Sequence, residues 1–323
     1  MESINLNSPR YVKRALLWGL FGILILIVAT LHQVIRDQQM VRSRIAVEPT
    51  VAERLASRLA SSTIEGKAFI VYDIRDQQVL SGNNIEQQLP LASLTKVMTA
   101  IVAKENLPDF TVITVPNEIP KVDKRVIQPG QQWTLKELLT YTLVTSSNEG
   151  ARSVASVVGA LGQESSESAV HPKEWFIKKM NSTAERLGLS QTYFINESGL
   201  DLSEPGFISG AYGSAKDLAT LFAFTLQTHP DLFEATVKDR VLVHSQQKSY
   251  TADNTNKALG ELPELIGSKT GLTDLSGGNL AVALDIGINH PIIIAVLGSS
   301  EEGRFTDVVT LAQATIEAMG SYR

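Results

Sequence analysis

The sequence predicts an α/β fold of the α+β type, in which one antiparallel sheet is flanked by helices. β-Branched runs bounded by turn residues occur at Lys67–Asp73 and again at Leu280–Ile286 and Pro291–Leu297, near the two ends of the globular part. The stretch between these runs shows apolar residues at helical spacing. We therefore expect the two ends to build one sheet, with a helical lobe inserted between them.

An apolar stretch precedes the globular part. Residues 15–35 are 21 positions without Asp, Glu, Lys or Arg, enough for a helix to cross the ~30 Å hydrocarbon core of a bilayer. Basic residues before it favour a cytoplasmic N-terminus. We predict a cytoplasmic tail at 1–14, a transmembrane signal anchor at 15–35, a linker at 36–49 and one globular domain at 50–323. The alternative is a signal peptide cleaved near Ala29. Both place the globular domain on the extracytoplasmic side of the membrane.

Composition excludes several classes of function. The chain has no cysteine, which rules out disulfides, zinc–cysteine sites and thiol catalysis. Its net charge is −5 and no basic block stands out beyond the membrane flanks, so we expect no nucleic-acid partner. The 5 histidines are scattered without a metal-ligand pattern. We therefore expect no metal and no cofactor.

Local signals define the elements in chain order. A capping box at Thr50–Glu53 opens a first helix, and a second box at Thr134–Glu137 opens another. Other helices are predicted to start at Pro172, after Ser214 and near Arg304, the last of them ending near Met319. The predicted strands are Lys67–Asp73, Gln78–Ser81, Thr111–Val115, Leu280–Ile286 and Pro291–Leu297.

The chemistry is organised around Ser93 and Lys96, which lie three residues apart at the start of an apolar helix. Residues at this spacing share a helix face, so the lysine amine can reach the serine hydroxyl. A serine becomes a nucleophile when a base takes its proton. Lysine can be that base only when neutral, which requires its pKa to fall from about 10.4 to near 7. The apolar neighbours make the necessary burial plausible.

A serine followed three residues later by lysine is a common pattern, and a second copy occurs at Ser245–Lys248. We interpret that copy as a solvated turn, because no apolar periodicity follows it. By itself the Ser93 copy fits an ordinary helix start equally well. Two further motifs decide between these interpretations: Ser146-Ser147-Asn148 at a helix junction, and Lys269-Thr270-Gly271 just before a strand.

In order and spacing the three motifs resemble the low-molecular-mass penicillin-binding proteins, specifically the D-alanyl-D-alanine carboxypeptidase family of serine peptidases. The resemblance covers about Gly66 to Met319 and implies a β-lactamase/transpeptidase-like fold. It is carried by Leu89–Lys96, Leu143–Asn148, Phe194–Asp201, Asn254–Asn256 and Gly267–Gly271.

The resemblance implies a role for each matching residue. Ser93 attacks the carbonyl of a D-alanyl peptide bond with Lys96 as general base, and Ser146 passes a proton to the leaving amine. The other implied contributions come from side chains and backbone that bind the substrate. Asn148 is expected to position Lys96 and the substrate amide, and Lys269 and Thr270 to hold the terminal carboxylate. Gly271 is expected to let the substrate lie close against the strand, and the N–H groups of Ser93 and Leu272 to form the oxyanion hole. Lys269 is also expected to supply the positive charge that keeps Lys96 neutral.

The implied function is removal of the terminal D-alanine from peptidoglycan stem peptides, with β-lactams as inhibitors and the cytoplasmic membrane as the anchoring surface. Three features depart from the family pattern: Ser147 stands where the family has glycine, no β-rich C-terminal domain follows, and the apolar anchor is N-terminal rather than C-terminal. Three alternatives remain. They are an endopeptidase acting on cross-links, a serine β-lactamase using Glu197 to hold water, and a non-catalytic wall binder or β-lactam sensor.

Overall fold

The structure is a computed structural model, which describes residues 9–44, 48–117, 127–163, 171–202 and 207–320. The chain divides into two compact units, Met1–Thr50 and Val51–Arg323. The second unit thus begins one residue after the position at which the sequence predicted the start of the globular domain.

The first unit contains one long helix, α1 (Pro9–Arg44). Its segment Leu16–Gln38 has a mean hydropathy of 2.1 and no residue buried against protein, and is long and apolar enough to cross a membrane. The helix continues through residues 36–44, where the sequence predicted a linker, because no proline or glycine interrupts that stretch. Residues 1–8 of the predicted tail and 45–47 of the predicted linker lie outside the described residues.

Three helices of the second unit begin directly after the predicted capping residues Thr50, Thr134 and Ser214. The Thr134 hydroxyl accepts the Glu137 N–H at 3.3 Å, and the Ser214 hydroxyl accepts the Asp217 N–H at 3.1 Å. These bonds satisfy donors that the first helical turn leaves free. The helices are α2 (Val51–Leu59), α3 (Thr95–Asn106), α4 (Leu135–Thr145), α5 (Asn148–Gln163), α6 (Pro172–Arg186), α7 (Ala215–Thr228) and α8 (Gly303–Gly320).

The strands confirm the predicted sheet assembled from both ends of the domain. They are β1 (Ala68–Asp73), β2 (Gln78–Asn83), β3 (Leu89–Pro90), β4 (Val112–Thr114), β5 (Gln132–Thr134), β6 (Tyr193–Phe194), β7 (Ala211–Gly213), β8 (Arg240–His244), β9 (Ser249–Asp253), β10 (Leu265–Thr273), β11 (Gly277–Asp285) and β12 (Pro291–Ser299). The five-stranded sheet has the order β10-β11-β12-β1-β2 and its pairs are antiparallel.

Both faces of this sheet are buried. On one face Leu280, Val282 and Leu284 of β11 belong to a core with α2 and α8, while Ala281 and Ala283 belong to a core with the helical lobe. Strands covered on both faces read as continuous apolar runs rather than alternating ones. This explains why the β11 and β12 segments were recognisable from sequence without a polar face.

The structure differs in detail from three local expectations. Lys269-Thr270-Gly271 lies within β10, not before a strand. Ser93 lies in a short 3₁₀ turn (Ala92–Leu94), and the α-helix proper begins at Thr95. Ser245 does lie in a turn, between β8 and β9, but only 8% of its surface is exposed and its hydroxyl bonds the backbone of Gln247 and Lys248. The hairpin β8–β9 itself was not predicted.

Candidate active site

The candidate nucleophile Ser93 lies in the 3₁₀ turn that joins β3 to α3. The preceding residue, Ala92, has φ = 48°, a left-handed conformation that costs a non-glycine residue about 1 kcal/mol. The Thr95 hydroxyl donates to the Ala92 carbonyl at 2.7 Å and holds this turn. The strained turn presents Ser93 at the end of α3 rather than along its side.

Lys96 contacts three oxygen atoms while it is fully buried. Its Nζ lies 2.7 Å from Ser93 Oγ, 2.8 Å from Asn148 Oδ1 and 2.8 Å from the backbone oxygen of Ser198. A neutral amine has two hydrogens and one lone pair. Both hydrogens are used by the two carbonyl oxygens, which can only accept. In this neutral form the lone pair is left to accept the Ser93 hydroxyl proton, whereas in the charged form Nζ donates to Ser93 Oγ.

The environment lowers the pKa of Lys96 to about 7. Burial is the largest cause, because the charged form loses its hydration. Glu197 and Glu149 act in the opposite direction, and the Arg152 guanidinium lowers the pKa further. Burial was expected from the apolar neighbours, whereas the further contribution expected from Lys269 is not among the causes, and a cation that the sequence did not indicate, Arg152, acts instead. Repulsion between the Lys96 and Lys269 amines is instead one of the causes that lower the pKa of Lys269.

Ser146 and Lys269 make a second contact between the motifs. Lys269 Nζ donates to Ser146 Oγ at 2.9 Å and to the Thr270 carbonyl at 2.9 Å. Ser146 ends α4 in the left-handed conformation, with φ = 61°. Burial, the charge of Lys96 and the charge of Arg304 hold the pKa of Lys269 well below its ordinary value.

The hydroxyl of Ser147, the central residue of the middle motif, has structural contacts. Ser147 Oγ accepts the Gly150 N–H at 3.0 Å and lies 3.1 Å from Glu149 Oε2. The first contact is a helix N-cap for α5. Ser147 therefore supports the helix whose first residue, Asn148, contacts Lys96.

The strand β10 packs against the turn that carries Ser93. A Cβ added to Gly271 would lie 3.0 Å from the Leu91 carbonyl oxygen, so glycine permits this close approach. The predicted oxyanion donors, the N–H groups of Ser93 and Leu272, belong to these two packed segments. Thr270 Oγ1 lies 2.6 Å from Thr255 Oγ1, which positions its hydroxyl.

The structure adds residues to the site that sequence reasoning did not assign a role. The Ser198 carbonyl binds Lys96, Thr255 binds Thr270, and Arg304 donates to the Gly271 carbonyl at 2.7 Å. Ser198 and Thr255 lie in segments that carried the family resemblance, so their proximity had a signal in the sequence. Arg304 had no such signal, because it lies on α8, outside the segments that carried the resemblance.

The segment Asn196–Asp201 is shaped by its own side chains. Asn196 Oδ1 accepts the N–H groups of Ser198 and Gly199 at 3.1 and 2.7 Å. Asp201 accepts the Thr273 hydroxyl at 3.1 Å at the end of β10. Gly199, with φ = 78°, lies so close to the Ser93 turn that a Cβ would be 1.9 Å from the Ala92 oxygen. The segment is thereby fixed against the turn that carries Ser93.

Comparison with known proteins identifies the family. The family model of D-alanyl-D-alanine carboxypeptidases matches residues 55–301. The chain is 27% identical over 257 residues to D-alanyl-D-alanine carboxypeptidase DacF of Bacillus subtilis, covering 77% of this chain and 61% of the relative. It is 29% identical over 239 residues to D-alanyl-D-alanine carboxypeptidase DacB2 of Mycobacterium tuberculosis, covering 73% of this chain and 76% of the relative.

A solved structure with the same fold is penicillin-binding protein D2 of Listeria monocytogenes in its ampicillin-bound form. The two share 26% sequence identity with a TM-score of 0.65, covering 78% of this chain and 98% of that one. The family match spans more than half of the sequence and includes all three motifs. The chain therefore belongs to the D-alanyl-D-alanine carboxypeptidase family.

Proposed function

We propose that the protein is a serine D-alanyl-D-alanine carboxypeptidase that removes the terminal D-alanine of peptidoglycan stem peptides and is inhibited by β-lactams. The observation that carries this proposal is the set of contacts made by Lys96. A buried amine with a pKa of about 7, whose lone pair faces a serine hydroxyl, is poised to act as a general base near neutral pH.

In the proposed reaction the Lys96 lone pair takes the Ser93 proton while Ser93 Oγ attacks the D-alanyl carbonyl carbon. The carbonyl oxygen becomes an oxyanion, for which the N–H groups of Ser93 and Leu272 are the proposed donors, each typically worth ~3 kcal/mol. As the oxyanion collapses and the C–N bond breaks, Ser146 gives its hydroxyl proton to the leaving D-alanine nitrogen, and the proton that Lys96 took from Ser93 replaces it. The acyl-enzyme on Ser93 is then hydrolysed by water, which regenerates the serine hydroxyl.

Lys269 and Thr270 are the proposed binding groups for the terminal carboxylate. The two buried amines repel each other, so both cannot easily carry a proton in the unliganded site. An incoming carboxylate beside Lys269 favours the proton there, because an opposite charge stabilises the ammonium. The repulsion then keeps Lys96 neutral at the moment when a base is needed.

The β-lactamase alternative requires a carboxylate that holds a hydrolytic water. Glu197 is the candidate from sequence, but its two carboxylate oxygens lie 3.4 Å from Arg152 Nε and 3.3 Å from Lys173 Nζ. These contacts turn both carboxylate oxygens towards cations, which disfavours a role in holding and activating water. The observation favours the peptidase.

We further propose that α1 anchors the protein in the cytoplasmic membrane with the domain from residue 50 onward on the extracytoplasmic side. The apolar segment Leu16–Gln38 and the cell-wall substrate of the proposed reaction support this placement. Fusing alkaline phosphatase after residue 50 tests the orientation, since this reporter is active only outside the cytoplasm. An inactive reporter would contradict the proposed side.

The substrate is tested by incubating the full-length protein in detergent with a muramyl pentapeptide and, separately, with a cross-linked muropeptide dimer. Mass spectrometry is expected to show loss of one alanine from the pentapeptide. Cleavage of the dimer alone would identify an endopeptidase. Rapid hydrolysis of penicillin would favour the lactamase. Retention of wall fragments without labelling by a fluorescent penicillin would favour a non-catalytic binder.

A further inference from the structure

A carboxylate without a role in the proposed mechanism is buried beside Lys96. Only 1% of the Glu197 surface is exposed, and among the described residues neither carboxylate oxygen accepts a hydrogen bond. Burying a carboxylate is costly unless charges or hydrogen bonds compensate it. Here the compensation comes from Arg152 on α5 and Lys173 on α6, each at ion-pair distance.

The backbone of Glu197 is fixed to the helix that carries the base. Its carbonyl oxygen accepts the Thr99 hydroxyl at 2.6 Å, and the carbonyl of the next residue, Ser198, accepts Lys96 Nζ at 2.8 Å. Arg152 follows Asn148 by four residues on α5, so both lie on one face of that helix. The three charged side chains thus connect α5, α6 and the Asn196–Asp201 segment around the base.

Charges of both signs surround Lys96 from the elements packed against it. Glu197 and Glu149 favour its protonated form, and Arg152 opposes it. Lys269 on β10 is repelled by the same amine, and Lys173 neutralises part of the Glu197 charge. Because the site is buried, such charges are poorly screened and act strongly on the amine.

We propose that Glu197 is a positioning residue of the reaction. It is the fixed negative charge, held by Arg152 and Lys173, that balances the cations around Lys96 and sets the pH range in which the base accepts the Ser93 proton. This inference rests on the proposed function, since it assumes that Lys96 is the base for acylation.

The test measures the second-order rate constant for acylation by a fluorescent penicillin as a function of pH, using the full-length protein in detergent. The acid limb of the profile is the range in which the rate falls because Lys96 becomes protonated. Glu197→Gln is expected to shift this limb to lower pH by about 0.5–1 unit, because a charge favouring the ammonium is removed. Arg152→Gln is expected to move it up by a similar amount. The double variant should lie near the wild type.

A matched control is Glu86→Gln, which removes a carboxylate from an exposed ion pair with Lys216. Its acid limb should not move, since exposed pairs are screened. The inference would be overturned if the acid limbs of Glu197→Gln and Arg152→Gln stayed in place or moved in the same direction. A purely structural role predicts no opposite shifts. If Glu197→Gln alone does not fold, the double variant is compared with Arg152→Gln: its acid limb should lie about 0.5–1 pH unit lower, and coincident limbs would overturn the inference.

A further outcome separates the inference from its alternatives. If Glu197→Gln abolished release of the acyl group while the acylation limb stayed in place, Glu197 would be a water-activating carboxylate and the inference would be wrong. If the wild-type protein itself did not react with the penicillin at Ser93, the proposed function would fail instead. The two failures are therefore distinguishable.

Discussion

The backbone oxygen of Ser198 accepts a hydrogen bond from Lys96 Nζ at 2.8 Å, although 102 positions separate the two residues. Together with Asn148 Oδ1 it occupies both hydrogens of a neutral amine and leaves the lone pair for Ser93. The contacts are compatible with a neutral amine that accepts from Ser93, and burial, which lowers the pKa of Lys96 to about 7, favours that form.

The first prediction concerns the nucleophile. Ser93→Ala should abolish labelling by a fluorescent penicillin, because no other hydroxyl lies against the Lys96 lone pair among the described residues. The melting temperature should change by only a few degrees, since a small polar atom is removed from a turn. Ser245→Ala is the control and should label like the wild type. Labelling that survives in Ser93→Ala would refute the assignment.

The second prediction is the pH dependence of acylation. Because Lys96 must be neutral and its pKa is about 7, the acylation rate constant should fall about tenfold for each pH unit below 7. Above 7 it should reach a plateau. Stopped-flow measurement of acyl-enzyme formation between pH 5 and 9 checks this. A profile that is flat over this range would exclude Lys96 as the base.

The third prediction is a pH-dependent stability. Between pH 7 and about 10 the unfolded chain binds a proton on Lys96 that the folded chain does not, so this residue makes stability rise with pH in that window. Replacing the amine in Lys96→Met should reduce the increase in the free energy of unfolding by up to about 1.4 kcal/mol per pH unit. Between pH 7 and about 10, the change in the free energy of unfolding should differ by about 4 kcal/mol between the wild type and Lys96→Met.

Urea unfolding of both proteins at pH 7 and pH 10 measures this difference. Replacing the lysine also removes its hydrogen bonds, but the cost of that removal is common to both pH values and cancels when the change between them is compared. Equal changes in the wild type and in Lys96→Met would show that the amine keeps its ordinary pKa in the folded protein.

The fourth prediction separates chemistry from backbone strain at Ser146. Both Ser146→Ala and Ser146→Gly remove the hydroxyl that contacts Lys269, so both should slow acylation by roughly 10²-fold or more. Ser146 has φ = 61°, where glycine is not strained. Ser146→Gly should therefore be more stable than Ser146→Ala by about 1 kcal/mol. Thermal unfolding of the pair measures it, and the reverse order would contradict the left-handed assignment.

The fifth prediction concerns Gly199. A Cβ at this position would overlap the Ala92 oxygen, which lies 1.9 Å away, and the surrounding backbone must move. Gly199→Ala should cost more than about 3 kcal/mol and displace the Ser198 carbonyl from Lys96. The matched control is Gly188→Ala, which has φ = 70° but no atom within 4 Å. It should lose only about 1 kcal/mol. Similar losses in both variants would show that strain, and not contact, limits Gly199.

Much of the architecture was predictable because its signals are local. The caps at Thr134 and Ser214, the continuous apolar runs of β11 and β12, and the periodicity of α8 all depend on neighbours in the chain. The position of Lys269 inside β10 was not predictable in this way. Strand pairing is a long-range property, and the residues of Lys269-Thr270-Gly271 do not alternate between apolar and polar.

The sequence by itself determined the chemical groups of the candidate site, the order of the three motifs and the family to which they belong. Tertiary structure alone decided the state of those groups. Burial and Arg152 lower the pKa of Lys96, while Glu197 and Glu149 oppose them, and these side chains come from α5 and the Asn196–Asp201 segment. Hydration and charge depend on distances in space, which spacing along the chain cannot specify.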